Sequence, residues 1–312
     1  MMKLNNIIYN ESGKIDVKKM MVNGSLPTDA YKYYDDKMVG VAKQELNFIK
    51  DLNEYGLVDS SISLAKTIVS YDKVSSMSKA EVSMDGITRS QNGRLDFIES
   101  GVPVPIFRKD FELGTREDLA SIKSKSIRIE TATRVVAEEM NDACLNGYSR
   151  NVDGFQFYGL RNEPNRNTIN ATAQWESAGG DAVEDVRLMI KALHSNNYAL
   201  TKDSCILYVA SNLMSFIDKD YSAEKSGTYK QRFEAFAPIK KVEMGTGLPD
   251  GEVVLVQMRS DVIELKVAQD LTFFEQPSND IMLSNFTVLS AMALIVKSDH
   301  SGNSGVCHLT GA

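Results

Sequence analysis

The stretch that decides the fold is 248–271, LPDGEVVLVQMRSDVIELKVAQDL. Its opening Pro-Asp-Gly predicts a turn, and the apolar run Val253–Met258 that follows predicts a buried strand. From Ile263 to Val267, apolar residues alternate with Glu264 and Lys266, which is typical of a strand with one buried face. This part of the chain is therefore predicted to form β-sheet.

Helical patterns stand on the N-terminal side of these strands. Apolar residues at steps of three and four predict a helix over 129–145, which Asn146-Gly147 ends. Asp181, followed by Glu184 three residues later, predicts the start of another helix. A third helix is predicted from Thr28 towards Gly56, after an arm formed by residues 1–27. Further strands are predicted at 205–210 and 282–297, so the chain mixes helices and sheet.

Composition excludes several classes of protein. The 312 residues include 42 acidic and 35 basic ones, a formal charge of −7, whereas a dedicated nucleic-acid binder needs a basic surface. Three cysteines without a CxxC pair favour a reducing compartment over a disulfide framework. The N-terminus lacks the apolar core of a signal peptide, and the most apolar stretch, 286–296, is too short to span a bilayer. The length fits about two domains, or one elaborate domain.

One predicted hairpin has no core of its own. Asn92-Gly93 supplies a tight turn, but its flanks, 87–90 and 94–98, are polar and charged. An isolated hairpin is marginal in water, so this one is either mobile or lies on a neighbouring molecule. Pro103 and Pro105 then forbid a central strand, and an alternating strand follows from Ile106.

The search for catalytic or metal-binding chemistry finds little. Three histidines without HExxH or HxH make a histidine-rich metal site impossible, and His194 is explained by a helix C-terminus. Glu138 and Glu139 are neighbours that do not face each other on a helix. Gly245-Thr246-Gly247 lacks the third glycine of a dinucleotide-binding loop, and 301–305 has the wrong register for a nucleophile elbow. Cys144, Cys205 and Trp175 read as core residues. No catalytic, cofactor or metal residues are predicted.

Several segments, in their order, resemble one family. They are Ala42-Lys43 with Leu46; Gly101-Val102-Pro103-Val104-Pro105 leading to Phe111-Glu112-Leu113 and Arg116-Glu117; the helix ending at Gly147, followed by Gly154 and Gly159-Leu160-Arg161-Asn162; Trp175 before Asp181; and Leu248–Gly251 with Val253–Val256 and Leu265–Leu271. The chain resembles the encapsulin and linocin branch of tailed-phage major capsid proteins, which have the Hong Kong 97-type fold.

The resemblance implies an α+β architecture with named parts. It places an N-terminal arm and helix at 1–81 and an extended E-loop hairpin at 82–111. A peripheral domain with a long spine helix is expected at 112–180 and 261–312, and an axial domain at 181–260. Within the E-loop, five residues are expected to contact a neighbouring subunit: Arg89, Asn92, Gly93, Arg94 and Asp96.

The implied function is a structural one without cofactor or catalysis. The chain would assemble as pentamers and hexamers into the icosahedral shell around the double-stranded DNA of a tailed bacteriophage. It would be made in the host cytoplasm and reside in the virion, with a portal protein and possible scaffold or decoration proteins as partners and no membrane. Two alternatives stay open: an encapsulin shell around a cargo enzyme, and an α+β hydrolase or transferase using Glu138, Asp181 or His300.

Overall fold

The computed structural model describes residues 47–75, 84, 95–114, 122–152, 154–177, 179–195, 200–222, 225–276 and 282–312. Its helices are α1 (Asn47–Glu54), α2 (Ile122–Asn146), α3 (Ala182–Ser195), α4 (Met214–Ile217, after a 3-10 turn at Ser211–Leu213) and α5 (Tyr229–Glu234). Its strands are β1 (Val58–Asp59), β2 (Ile68–Val74), β3 (Phe97–Pro103), β4 (Ile106–Gly114), β5 (Tyr148–Val152), β6 (Phe155–Phe157), β7 (Asn167–Asn170), β8 (Cys205–Val209), β9 (Asp220–Ser222), β10 (Lys225–Thr228), β11 (Ile239–Met244), β12 (Glu252–Gln257), β13 (Ile263–Gln276), β14 (Leu283–Val296) and β15 (Val306–Thr310).

A four-stranded sheet in the order β1-β13-β14-β4 carries the long helix α2 on one face. The two 14-residue strands β13 and β14 pair antiparallel, and β4 pairs antiparallel with β14 at the edge. Phe111, Phe273 and Phe286 stack with ring centroids 5.5–6.4 Å apart, and the Lys125 amine lies 4.3 Å from the Phe286 ring centroid. The strands predicted from 106, 263 and 282 thus share one sheet.

A five-stranded sheet has the order β11-β8-β12-β15-β7. Every residue of β8 is buried, because this strand has a core on both faces. Ile206 and Tyr208 face the large core that also contains α2, whereas Leu207 and Val209 pack with α3. Strand β15, which the sequence pattern did not predict, lies between β12 and β7. It pairs antiparallel with β12 and parallel with β7.

The ends of the predicted helices agree with their capping signals. Helix α1 ends at Glu54, and the Leu57 amide donates to the Leu52 carbonyl across Gly56, which has φ +68°. Gly147 ends α2 at φ +78°. The part of the N-terminal helix predicted before 47 lies outside the described residues.

Of the two hydrogen bonds that the predicted capping box of α3 requires, one is present. The Glu184 amide donates to Asp181 Oδ1 at 3.0 Å, as a capping box requires. The Glu184 carboxylate instead accepts hydrogen bonds from Arg187 Nε–H and Nη2–H, one turn later. Trp175 is buried as predicted, and its indole N–H donates to Asp185 at 2.9 Å.

Candidate intersubunit surfaces

The antiparallel pair β2 and β3 forms a two-stranded ladder, and no further strand among the described residues pairs with either. Its register runs from Ile68 opposite Pro103 to Val74 opposite Phe97. The sequence pattern predicted strand near 94–98 but not β2, because residues 57–84 show only short apolar pieces among serines. The ladder therefore begins earlier in the chain than the hairpin that the sequence pattern indicated.

One end of the ladder is anchored on the body of the protein. The Tyr71 hydroxyl donates to the Val296 carbonyl at 3.3 Å, and Val102 and Pro103 are buried. Gly101 lies so close to Phe155 that an added Cβ would stand 3.1 Å from its ring. This anchoring fixes the direction in which the ladder leaves the four-stranded sheet.

The other end of the ladder exposes apolar groups, and we call residues 72–73 with 97–99 the distal ladder end. Phe97 is 64% exposed and Ile98 is 49% exposed, although water disfavours both side chains. Asp72 and Glu99 stand directly opposite each other across the ladder, and like charges at such positions repel. A surface with these properties gains stability when another surface covers it.

Of the five residues expected to contact a neighbour, Asp96 is among the described residues, and it lies at this end. Asp96 is exposed, and its amide donates to Ser75 Oγ at 2.9 Å while its carbonyl accepts from the Ser75 amide at 3.0 Å. These bonds hold Asp96 just beyond the last pair of the ladder. Arg89, Asn92, Gly93 and Arg94 lie outside the described residues.

A groove of about 530 Å³ opens where β3 turns into β4 beside α2. We call it the corner groove. Its walls are mainly apolar, with Ile106 57% and Val135 41% exposed, and Arg108, Lys109 and Glu139 add charge. The remaining lining residues are Thr67, Pro103, Val104, Pro105, Phe107, Val136, Tyr148 and Phe157.

A smaller cavity of about 170 Å³ is lined by Tyr71, Lys73 and Gly101 of the ladder and by the buried residue Glu163. Burial raises the pKa of Glu163 from its ordinary 4.5 to about 7, although Lys73 and Asn165 act in the opposite direction. The sequence showed no signal for this residue, because its burial depends on strands distant in the chain.

This pKa predicts a pH dependence of stability. A folded-state pKa above the unfolded one means that Glu163 contributes stability below about pH 4.5, which is lost as the pH rises towards 7. We expect roughly 2–3 kcal/mol of stability to be lost over this window in the natural chain and not in Glu163→Gln. Urea unfolding of both proteins at several pH values measures the difference. Parallel pH profiles would contradict the prediction.

A half-buried ionic cluster joins the loop after β6 to β12 and β15. Arg161 donates both Nε–H and Nη2–H to the Glu252 carboxylate, and His308 Nε2 lies 2.9 Å from Glu252 Oε2. Arg166 Nε donates to His308 Nδ1 at 3.3 Å, so the proton of a neutral ring lies on Nε2. Burial lowers the pKa of His308, and Glu252 only partly offsets it. These contacts hold β15 against β12 and the loop after β6.

The residues considered for an enzyme are not brought together. Glu138 and Glu139 are exposed on α2, Asp181 is exposed before α3, and His300 is exposed in the turn after β14. The described residues include no group of three or more acidic, histidine or cysteine side chains able to hold a metal ion. In the same part of the chain, no helix is long and apolar enough to cross a membrane. Cys144, Cys205 and Cys307 are buried free thiols whose pKa burial raises.

Comparison with known proteins identifies the family of this chain. The profile of a family of unknown function, DUF6260, matches residues 18–309. No curated protein sequence matches the chain.

Among solved structures, the capsid of Myoviridae phage XM1 is similar with a TM-score of 0.65 and 15% identity, over 86% of this chain and 92% of that one. The capsid of a native GTA particle is similar with a TM-score of 0.61 and 12% identity, over 93% and 92%. A virus-like particle from Pyrococcus furiosus is similar with a TM-score of 0.60 and 11% identity, over 90% and 100%. The chain has the Hong Kong 97-like fold of phage capsids, as the sequence motifs indicated.

Proposed function

This chain belongs to DUF6260, a family of unknown function, and we propose that it is a shell-forming major capsid protein of a tailed bacteriophage. It would assemble through pentamers and hexamers into an icosahedral shell around double-stranded DNA. The observation that carries the proposal is its fold, shared over most of the chain with several particle-forming proteins.

The described surfaces support a shell role. Permanent contacts between subunits often bury about 2,000–5,000 Å², and a projecting element adds such area without enlarging the core. The ladder formed by β2 and β3 is an element of this kind, because its distal end exposes Phe97 and Ile98. Covering these side chains in an assembly removes apolar surface from water.

We propose the following division of the chain. Residues 1–81 form the arm and helix, 82–111 the E-loop, 112–180 with 261–312 the peripheral domain, and 181–260 the axial domain. Helix α2 and the strands β13 and β14 would then be peripheral, whereas β1 falls in the arm segment and most of β4 in the E-loop segment. Strands β8, β11 and β12 would be axial, and β7 and β15 would enter the same sheet from the peripheral segments.

The remaining partners follow from the role of a phage shell. A portal protein would occupy one vertex, and scaffold or decoration proteins would assist. The negative formal charge of −7 suits a container of DNA, because a strongly basic lining would adhere to packaged duplex. The virion would be its final location, after synthesis in the host cytoplasm.

Electron microscopy of the chain expressed alone tests the proposal. We expect closed particles or rings, and light scattering should report masses of many subunits. A chain that stays monomeric at high concentration and turns over a metabolite would contradict the proposal. The hydrolase alternative has no support from the geometry, because Glu138, Asp181 and His300 lie exposed on separate elements.

An encapsulin-type shell is the second candidate, favoured by the likeness to the Pyrococcus furiosus virus-like particle. The content of particles from the native source separates the two candidates. Nuclease-resistant double-stranded DNA supports the phage role, and a single packaged enzyme supports the encapsulin role. Neighbouring portal and terminase genes, or a cargo-enzyme gene, give the same distinction.

The proposed E-loop contacts predict that Arg94→Glu impairs assembly and leaves the monomer folded. Reversing one charge at each repeated contact replaces attraction by repulsion, so we expect roughly a tenfold higher protein concentration to be needed for assembly. Light scattering measures assembly, and circular dichroism measures folding.

Lys202→Glu is the matched control for Arg94→Glu. Lys202 is exposed in the turn before β8, so its charge reversal should leave assembly unchanged. If Arg94→Glu forms normal shells, Arg94 does not take part in the contact between subunits.

A further inference from the structure

We propose that His308 acts as an acid-sensitive latch: its protonation, as the pH falls, releases the loop after β6 from the C-terminal strand β15. The loop spans residues 158–166, and it contacts His308 through the Arg166 side chain. The latch lies within a single chain and goes beyond the shell role, so it does not require that shells form. Histidine is the side chain whose charge changes most readily in this range of pH.

The loop after β6 connects the end of α2 to the five-stranded sheet. Its backbone donates hydrogen bonds from the Leu160 and Arg161 amides to the last carbonyls of α2. Its side chains reach the sheet, because Arg161 donates to Glu252 on β12 and Arg166 donates to His308 on β15. Release of the loop from β15 therefore removes one of the links between α2 and this sheet.

The hydrogen bonds of His308 leave no room for a second proton on the ring. Nε2 lies 2.9 Å from Glu252 Oε2, and Nδ1 accepts from Arg166 Nε–H at 3.3 Å. An arginine side chain only donates, so Nδ1 carries no hydrogen in this arrangement. A proton that binds Nδ1 sets two N–H groups against each other, and the Arg166 side chain has to move away.

The charges around His308 also oppose a further cation. Arg161, Arg166 and Glu252 act on the ring, whose side chain is only 4% exposed. Protonation of the ring therefore sets three cations against one carboxylate. Glu163, beside Arg166, gives no compensation in acid, because its pKa of about 7 keeps it neutral there. Burial, with the two arginines, lowers the pKa of His308 more than Glu252 raises it.

The direction of the pH effect follows from this lowered pKa. In the open state the imidazole is in water and takes up a proton near its ordinary pKa of 6.5, before the closed state does. The closed state is therefore fully favoured above pH 6.5, and opening increases as the pH falls below this value. The strand partners of His308, Thr168 on β7 and Val254 on β12, are uncharged and add no titration of their own.

Deuterium exchange of the imidazole Cε1 hydrogen, measured by mass spectrometry, tests the protonation of His308 in single chains and particles alike. We expect His308 to titrate below pH 6.5 in the natural chain and closer to 6.5 in Arg166→Gln, which removes the cation at Nδ1. Arg187→Gln is the matched control and should leave the titration of His308 unchanged. Arg187 is exposed on α3, which packs on the face of β15 opposite to His308.

Backbone amide exchange tests the release of the loop. After correction for intrinsic rates, the amides of Arg166 and of β7, which follows the loop, should open several-fold more often at about pH 5 than at about pH 7.5. His308→Gln carries no titrating group at this position and should lose the difference. Global unfolding does not isolate the effect, because Glu163 acts in the opposite direction over the same range of pH.

Three results would overturn the latch. They are a His308 titration at or above pH 6.5, a titration of His308 in Arg166→Gln equal to that in Arg187→Gln, and the same acid opening in His308→Gln as in the natural chain. Each of these results leaves the proposed shell function untouched. Failure of the natural chain to form particles would instead contradict the shell function and leave the latch standing.

Discussion

Replacing Gly159 with alanine is expected to lower the free energy of unfolding by roughly 2–4 kcal/mol, the upper range for overpacking. A Cβ at this position would stand 2.4 Å from the Gly147 amide nitrogen and 2.7 Å from the Leu145 carbonyl oxygen. Both are backbone atoms at the end of α2, so neither can turn aside as a side chain would.

The loop that begins at Gly159 also donates hydrogen bonds to the last carbonyls of α2. The Leu160 amide donates to the Cys144 carbonyl at 3.0 Å and the Arg161 amide to the Leu145 carbonyl at 2.8 Å. These bonds satisfy carbonyls that the helix itself leaves unpaired. A side chain at Gly159 pushes this loop away, so the steric cost and the lost hydrogen bonds add.

Gly114→Ala is the matched control, because a Cβ there meets no atom within 4 Å. We expect its stability to change by less than about 0.5 kcal/mol, as at ordinary surface positions. Urea unfolding followed by circular dichroism measures both variants. Equal stabilities of the two variants would show that the loop relaxes without cost.

Asp51→Ala is expected to cost roughly 2–4 kcal/mol and to loosen α1 from the five-stranded sheet. Asp51 is 3% exposed, accepts from the Tyr208 hydroxyl at 2.6 Å and pairs with the Lys241 ammonium. Burial and the adjacent carboxylate raise the pKa of Tyr208, so its hydroxyl stays protonated as a donor. Without Asp51, that donor is buried with no acceptor.

The expected loss of stability in Asp51→Ala depends on how well Lys241 is solvated and paired without Asp51. Its side chain is 23% exposed, and Glu54 and Glu243 lie 3.8 and 3.6 Å away, so the loss stays below that of a fully buried pair. Glu54→Ala is the control, because solvent screens the ion pairs of this half-exposed carboxylate and its loss should change stability little. Hydrogen exchange of the α1 amides should rise in Asp51→Ala alone. Unchanged protection there would contradict the prediction.

Local patterns predicted the regular elements of the protein well. The apolar stripe of α2, the turn at Gly147, the start of α3 after Asp181 and the alternation in β13 are confirmed. Each depends on residues within one or two turns of helix or on neighbours along one strand. The order of motifs added the capsid fold, which the comparison with solved structures confirms.

The candidate surfaces were predictable only in outline. The sequence indicated that the hairpin near Asn92 has no core of its own, and the exposed Phe97 and Ile98 agree with a need for external contact. The corner groove left no signal, because its walls come from β3, β4 and α2 together. The contact residues predicted at 89 and 92–94 remain predictions.

What the sequence by itself determined is therefore local: where helices begin and end, which strands have one buried face, and which motifs follow one another. The tertiary structure alone decided which distant segments meet. It placed β15 between β12 and β7, buried Asp51 beside Tyr208, and set His308 against Glu252. The reason is physical: periodicity reports the environment of a residue along its own element, whereas burial of a charge depends on partners brought together by the packing of both sheets.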